Sequence, residues 1–288
     1  MKKKGYYIVN IVVLLFTGFF LAQVLLKNTQ WLMNNIKITP VFIGSLAGCV
    51  IIHLFKGIRL YFLMLEKRPV MDRFLRLYVK TSLVNLVFPF KLGELFRIYS
   101  FGYEWNDYKA GLFLILTDRY FDTIPLLLLL LGFTSASEGV LLGIVLILMI
   151  FIVIITVVYC IFPSTYKYLN RFLILNSNSE RGIKVLDVMK KFRHWYVYVR
   201  ELVKGRETIL LVLSSCAWLM EYGTLYCLIA GTGNIFHSLD FLEYMNSVFM
   251  RGTNDYVSQY TAISALVLGG AVACVYGSQF VRGKRCQK

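Results

Sequence analysis

The sequence predicts an all-α polytopic membrane protein, with about six full transmembrane helices, two re-entrant or broken helical hairpins and pseudo-symmetric halves. Three observations predict this class. Hydrophobic residues make up 58% of the chain and charged residues only 16%, an apolar excess that suits lipid better than water. Apolar runs recur at about 6–26, 41–65, 74–90, 108–133, 138–162, 208–230, 241–250 and 256–281, and most reach the roughly 20 residues that cross a bilayer. Finally, the connections between those runs differ sharply in charge.

The chain begins with Lys2, Lys3 and Lys4, followed by an apolar body from Ile8 to Leu26 and no small-residue cleavage site. This pattern reads as an uncleaved first helix. Lys67, Arg68, Arg73, Arg76 and Lys80 follow the second span. The stretch 163–207 carries Lys167, Arg171, Arg181, Lys184, Lys190, Lys191, Arg193, Arg200, Lys204 and Arg206, and Arg282, Lys284, Arg285 and Lys288 close the chain. The connections TSASEG (134–139) and GTGNIFHSLD (231–240) contain neither Lys nor Arg. The basic set is expected on the cytoplasmic side of a cell membrane, with both termini, and the other two outside. The formal charge of +15 then fits anionic headgroups rather than nucleic acid. A single membrane domain is expected over 1–288, with a first half at 1–162, a basic connector at 163–207 and a second half at 208–288.

Parity locates the broken segments. The 66–80 connection is inside, and the 108–133 helix ends outside, so residues 74–107 must leave the cytoplasm and return. That stretch is short and interrupted by FPFKLG. Pro89 cannot donate a backbone hydrogen bond and biases the preceding residue away from helix, while Gly93 tolerates a turn. A re-entrant pair is therefore expected, and broken backbone at such depth marks a protein-lined or water-lined cavity. The same count near the C-terminus, with 241–250 too short to span and RGTND (251–255) following, predicts a second broken element before 256–281.

In the connector, Val185, Val188, Met189, Phe192, Trp195, Tyr196 and Val199 recur at helical spacing among basic residues. Such a helix either lies on the inner membrane surface or packs on the bundle.

Charges inside the apolar runs are costly, about 2.5 to 3.5 kcal/mol each on insertion scales, so they must face protein or water. Asp118, Arg119 and Asp122 lie mid-span, and Glu94 and Arg97 follow the broken FPFKLG turn. Spacings of three and four put Glu94 with Arg97, Arg119 with Asp122, and Asp118 with Asp122 on shared helix faces. A buried polar cluster joining all five is expected. It either locks the broken segment onto the fourth span, or leaves Lys91, Arg97 and Arg119 lining a cavity for an anionic lipid headgroup, since guanidinium matches phosphate in bidentate fashion. Lys56 and Arg59 are expected to snorkel at the cytoplasmic end of the second span. His53 reads as a core histidine. Glu221, mid-span with no basic neighbour on its own helix, is expected to be neutral or paired across helices.

No nucleophile elbow, P-loop, zinc-protease or dinucleotide fingerprint is present, so no enzyme activity and no cofactor are expected. Arg119 between Asp118 and Asp122 works against a divalent metal site. The scattered cysteines form no C-x-x-C pair.

The order P-x-x-x-G-E-x-x-R (Pro89, Gly93, Glu94, Arg97), then R-x-x-D (Arg119, Asp122), resembles the lysylphosphatidylglycerol synthase transmembrane-region family of flippase-like domains. W-x-x-E at Trp218 and Glu221 resembles the start of that family's second half. The resemblance implies a lipid translocase with re-entrant segments around a polar cavity, here as a stand-alone member without an aminoacyl transferase domain. It makes anionic phospholipids and polyprenyl-phosphate glycolipids of cell-envelope pathways the expected substrates. Lys91, Glu94, Arg97, Asp118, Arg119, Asp122 and Glu221 are the candidate substrate-binding residues. The second half departs from the family pattern: FMRGTNDYVSQYTAISALVLGG lacks the second proline-containing broken motif, and Arg251, Asn254 and Asp255 stand there instead. The alternatives are a non-transporting scaffold that recruits glycan-assembly enzymes through the basic 163–207 surface, and an intramembrane lipid transferase. A homo-oligomer is a further expected assembly.

Overall fold

A computed structural model describes residues 2–36, 40–88, 92–134, 140–176, 180–231, 235–237, 240–245 and 255–285. The helices, in order, are α1 (Lys2–Lys27), α2 (Thr29–Ile36), α3 (Pro40–Leu63), α4 (Met71–Val87), α5 (Leu92–Glu104), α6 (Tyr108–Thr134), α7 (Val140–Asn176), α8 (Glu180–Val203) and α9 (Glu207–Gly231). A short α10 at 240–245 and a long α11 (Asp255–Arg285) follow. The described residues contain no strand. Helix is what lipid demands, because each backbone N–H and C=O is satisfied within its own segment.

Among the described residues five helices, α1, α3, α7, α9 and α11, are long and apolar enough to cross a membrane. Helix α6 has 27 residues but carries Asp118, Arg119 and Asp122 at its centre. The protein turns large apolar side chains outward, among them Leu15 and Phe19 on α1 and Ile147, Ile154 and Val158 on α7. That outward greasy surface is the counterpart of a lipid solvent. All-α polytopic architecture is thus confirmed.

Helices α3 and α9 form the central pair. Gly48 lies against Thr224, where any Cβ would run into the threonine hydroxyl. Small residues at such a seam let two backbones approach closely. Two apolar cores flank this pair. One gathers Cys49, Leu126, Leu130, Trp218, Phe241 and Ile263. The other gathers Leu60, Leu63, Phe74, Phe101, Leu114 and Leu210. Along α3, Lys56 and Arg59 fall between Cys49 of the first core and Leu60 of the second.

Helices α4 and α5 form an antiparallel hairpin, as the four residues between them require. At 17 and 13 residues they rise about 25 and 20 Å, short of a full tilted crossing. Arg73 reaches Glu104 at 3.8 Å across the open end. At the closed end Gly93 packs on the backbone of Asn85, whose nitrogen lies 2.7 Å from where a Cβ would sit. Gly93 was expected to serve the turn. It lies instead in the first turn of α5, and its value is the close approach to α4. Pro89 and Lys91 lie outside the described residues.

Helix α7 runs to Asn176 with Pro163 inside it, well beyond the apolar run expected to stop at 162. Helix α8 returns along it. Tyr196 packs on Tyr159 and Phe162, Trp195 on Phe113, and Leu202 is fully buried. The C-terminal part of α8 from Trp195 onward therefore packs on the bundle, while Val185, Val188 and Phe192 before it are exposed. Near the C-terminus, α10 buries Phe241, Leu242, Tyr244 and Met245. The expected second broken element, with Arg251 and Asn254, lies outside the described residues, and Asp255 opens α11.

Candidate functional site

The polar layer begins with Arg59 on α3. Its side chain is 1% exposed, and Nε donates to Asp118 Oδ1 at 2.8 Å. Nη1 donates to Asp122 Oδ1 and, at 2.8 Å, to Ser214 Oγ of α9. Three helices are thus tied through one guanidinium. Snorkelling was expected for Lys56 and Arg59, and the structure corrects this. Arg59 points into the bundle because Asp118 and Asp122, one turn apart on α6, offer it two carboxylates on one face.

Arg119 closes the other side of the cluster. It lies 3.2 Å from Glu94 Oε1, 3.5 Å from Asp118 Oδ2 and 3.1 Å from Asp122 Oδ2. Glu94, Asp118, Arg119 and Asp122 are therefore brought together as expected. Both aspartates are shared between two guanidiniums, which leaves them no open face for a divalent cation. Among the described residues no grouping of His, Cys, Asp and Glu could hold a metal ion.

Arg97 was expected inside this cluster and is not. It is 5% exposed, and Nη2 donates to Ser82 Oγ at 2.7 Å while Nε approaches Thr81 Oγ1 at 3.4 Å. Its guanidinium also lies over the Tyr78 ring, 5.6 Å from the centroid. Among the described residues no carboxylate comes within ion-pair distance of it. The reason is geometric: Glu94, one turn earlier on α5, turns to Arg119 on α6, while Arg97 turns to α4.

Glu221 is paired across helices. Lys56 Nζ donates to Oε2 at 2.8 Å, and the Tyr244 hydroxyl donates to Oε1 at 2.8 Å. Lys56 also lies 5.3 Å from the centroid of the Trp218 ring. Trp218 Nε1 in turn donates to the Asp122 carbonyl at 2.9 Å. The two positions of W-x-x-E, one turn apart on α9, thus hold the backbone of α6 and the ammonium of α3. His53 is near this layer with Nδ1 buried and lacking a hydrogen-bond partner.

Sequence reasoning missed Lys56 and Arg59 as members of the network, along with Ser214 and Tyr244. One signal was available: the expected cluster held three carboxylates against two guanidiniums and so lacked a cation. Lys56 and Arg59, three apart on one face, are the nearest intramembrane cations that could supply it. Lys91, the remaining candidate, lies outside the described residues.

No curated protein and no solved structure matches the chain. Residues 7–250, which contain the α4–α5 hairpin, the α6 charges and the α9 Trp-Glu pair, match the family model described as lysylphosphatidylglycerol synthase TM region. The chain belongs to that family.

Proposed function

We propose that this chain is a flippase-like transporter of the cytoplasmic membrane, with both termini inside. It carries an anionic phospholipid or polyprenyl-phosphate-linked glycolipid between leaflets and is not an enzyme. Family membership ties the chain to a membrane-lipid-related function. In this reading the α4–α5 hairpin is re-entrant, and Arg97 holds the lipid phosphate. Lys91 lies beside the hairpin in sequence and assists. Glu94, Asp118 and Asp122 position Arg59 and Arg119, and Glu221 positions Lys56.

The observation that carries this reading is the contrast among the guanidiniums of Arg59, Arg97 and Arg119. Arg59 and Arg119 are each matched by at least two carboxylates, whereas the partners of Arg97 among the described residues are two hydroxyls and a ring face. A buried charge without a counter-charge is costly, and a phosphate supplies both the charge and the acceptors a guanidinium fits. The test is translocation of a fluorescent anionic lipid in proteoliposomes. Arg97→Gln should slow transport at least tenfold while leaving the protein folded, and unchanged transport would refute the assignment.

A second reading draws on the exposed basic and apolar face of α8, where Val185, Val188 and Phe192 stand among lysines. There the chain is a scaffold for envelope-assembly enzymes. Removing that face would then abolish function in cells, and Arg97→Gln would not.

A further inference from the structure

Lys80 is a second cation on the α4–α5 hairpin that no described carboxylate approaches within ion-pair distance. Its Nζ donates to Asn10 Oδ1 of α1 at 2.5 Å and lies 5.6 and 5.2 Å from the ring centroids of Tyr6 and Phe96. An ammonium has three N–H donors, so one neutral acceptor leaves most of its capacity open. Aromatic faces attract a cation but accept no strong hydrogen bond.

The register of the hairpin sets the depth of this group. Arg73 meets Glu104 at the open end. Seven residues further in along each helix, about 10 Å, stand Lys80 on α4 and Arg97 on α5. The contacts of Arg97 with Thr81 and of Lys80 with Phe96 confirm that register. The two cations thus share one level of the hairpin but take different neighbours. Arg97 is enclosed by hydroxyls of α4 and by Tyr78, whose own hydroxyl bonds the His53 carbonyl of α3. Lys80 faces α1.

Helix α1 is the least buried of the five candidate spans, so this flank borders lipid. It meets the hairpin through Tyr6, which stacks on Tyr103 with centroids 3.6 Å apart and lies near Tyr99. Asn10 is buried where α1 crosses the hairpin. Its amide accepts from Lys80 and carries two N–H groups suited to a phosphate oxygen.

We propose that Lys80, with Asn10 and Tyr6, forms an outer docking point for the phosphate of an anionic membrane lipid at the seam between α1 and the hairpin. The lipid meets Lys80 from the bilayer before its phosphate passes to Arg97. This sequence of sites rests on the transporter reading, but the docking point itself is tested separately.

The experiment uses the full chain, purified in detergent and checked for folding by gel filtration and thermal unfolding. Native mass spectrometry counts bound lipid during titration with dioleoyl phosphatidylglycerol, dioleoyl phosphatidylcholine or inorganic phosphate. Wild-type protein should bind phosphatidylglycerol in preference to phosphatidylcholine. Lys80→Gln should weaken phosphatidylglycerol binding at least tenfold without changing phosphatidylcholine binding, and Lys80→Arg should retain it. Asn10→Asp, which places a carboxylate against Lys80 and pre-empts the lipid, should mimic Lys80→Gln, and it serves if Lys80→Gln fails to fold. Phosphatidylglycerol binding that survives both Lys80→Gln and Asn10→Asp overturns the docking point. So does equal weakening for both lipids, or displacement of the lipid by an equal concentration of inorganic phosphate. If Arg97→Gln leaves lipid binding and transport intact while Lys80→Gln removes binding, the Arg97 reading fails and the docking point stands.

Discussion

Arg59 and Asp118, 59 positions apart in sequence, meet as a buried ion pair at 2.8 Å, and the same guanidinium reaches Asp122 and Ser214. This one side chain joins α3, α6 and α9 in the layer between the two apolar cores.

Removing that cation leaves two aspartates to share Arg119 alone. Arg59→Met is expected to lower stability by about 3–5 kcal/mol, the cost of stranding buried charge. Thermal unfolding of the purified chain measures it. Adding Asp118→Asn should recover part of the loss, and a double variant worse than the sum of the singles contradicts the pairing.

Lys56 and Glu221 pair at the more open edge of the layer, where the lysine side chain is 26% exposed. Lys56→Met should therefore cost less than Arg59→Met. Exchange of the two charges, Lys56→Glu with Glu221→Lys, should restore stability beyond either single change. A coupling of about 0.5–3 kcal/mol in the double-mutant cycle is expected.

Gly93 has no room for a side chain against Asn85. Gly93→Ala should cost about 1–3 kcal/mol as an overpacked contact and should loosen the α4–α5 hairpin. Gly132→Ala is the control, because a Cβ there meets nothing within 4 Å. Equal melting temperatures for the two variants would show that the close approach does not constrain the fold.

Trp218 both underlies Lys56 and donates to the Asp122 carbonyl. Trp218→Phe keeps a ring beneath the ammonium and loses only the donor. A loss of about 0.5–1.5 kcal/mol follows, the net worth of one hydrogen bond to a carbonyl that keeps its place in the α6 ladder. A stability unchanged from wild type would mean that this bond is not needed to seat α6 on α9.

Much of the helical layout was legible in the sequence, because apolar length and charge placement are local properties. The starts and ends of α1, α3, α6 and α9 fall within a few residues of the apolar runs. Helix α7 is an exception. The apolar run ends at 162, yet the helix continues through Pro163 to Asn176. A proline in a lipid-embedded helix is tolerated where the freed carbonyl finds other partners, and the linear pattern does not show those partners.

The polar layer was legible only in part, for a related physical reason. Helical spacing groups charges on one helix, so Asp118, Arg119 and Asp122 could be read together and Glu94 joined to them. It says nothing of which way a side chain on another helix turns. Lys56 and Arg59 sit near the end of an apolar run, and that position alone suits snorkelling as well as pairing. Packing decides otherwise: α3 is wedged against α9 through Gly48 and Thr224, and the face bearing both cations then looks at α6 and α9.

The sequence by itself determined that this chain is a helical membrane protein of the lysylphosphatidylglycerol synthase transmembrane family, with costly charges at mid-span. Only the tertiary structure decided how those charges are shared. It assigns the α6 aspartates to Arg59 and Arg119, gives Glu221 to Lys56, and leaves Arg97 and Lys80 without a described carboxylate. Composition sets the number of charges a membrane protein must neutralise. Which of them remain open to a ligand depends on contacts across as many as 165 positions of sequence, between helices whose facing is fixed by packing.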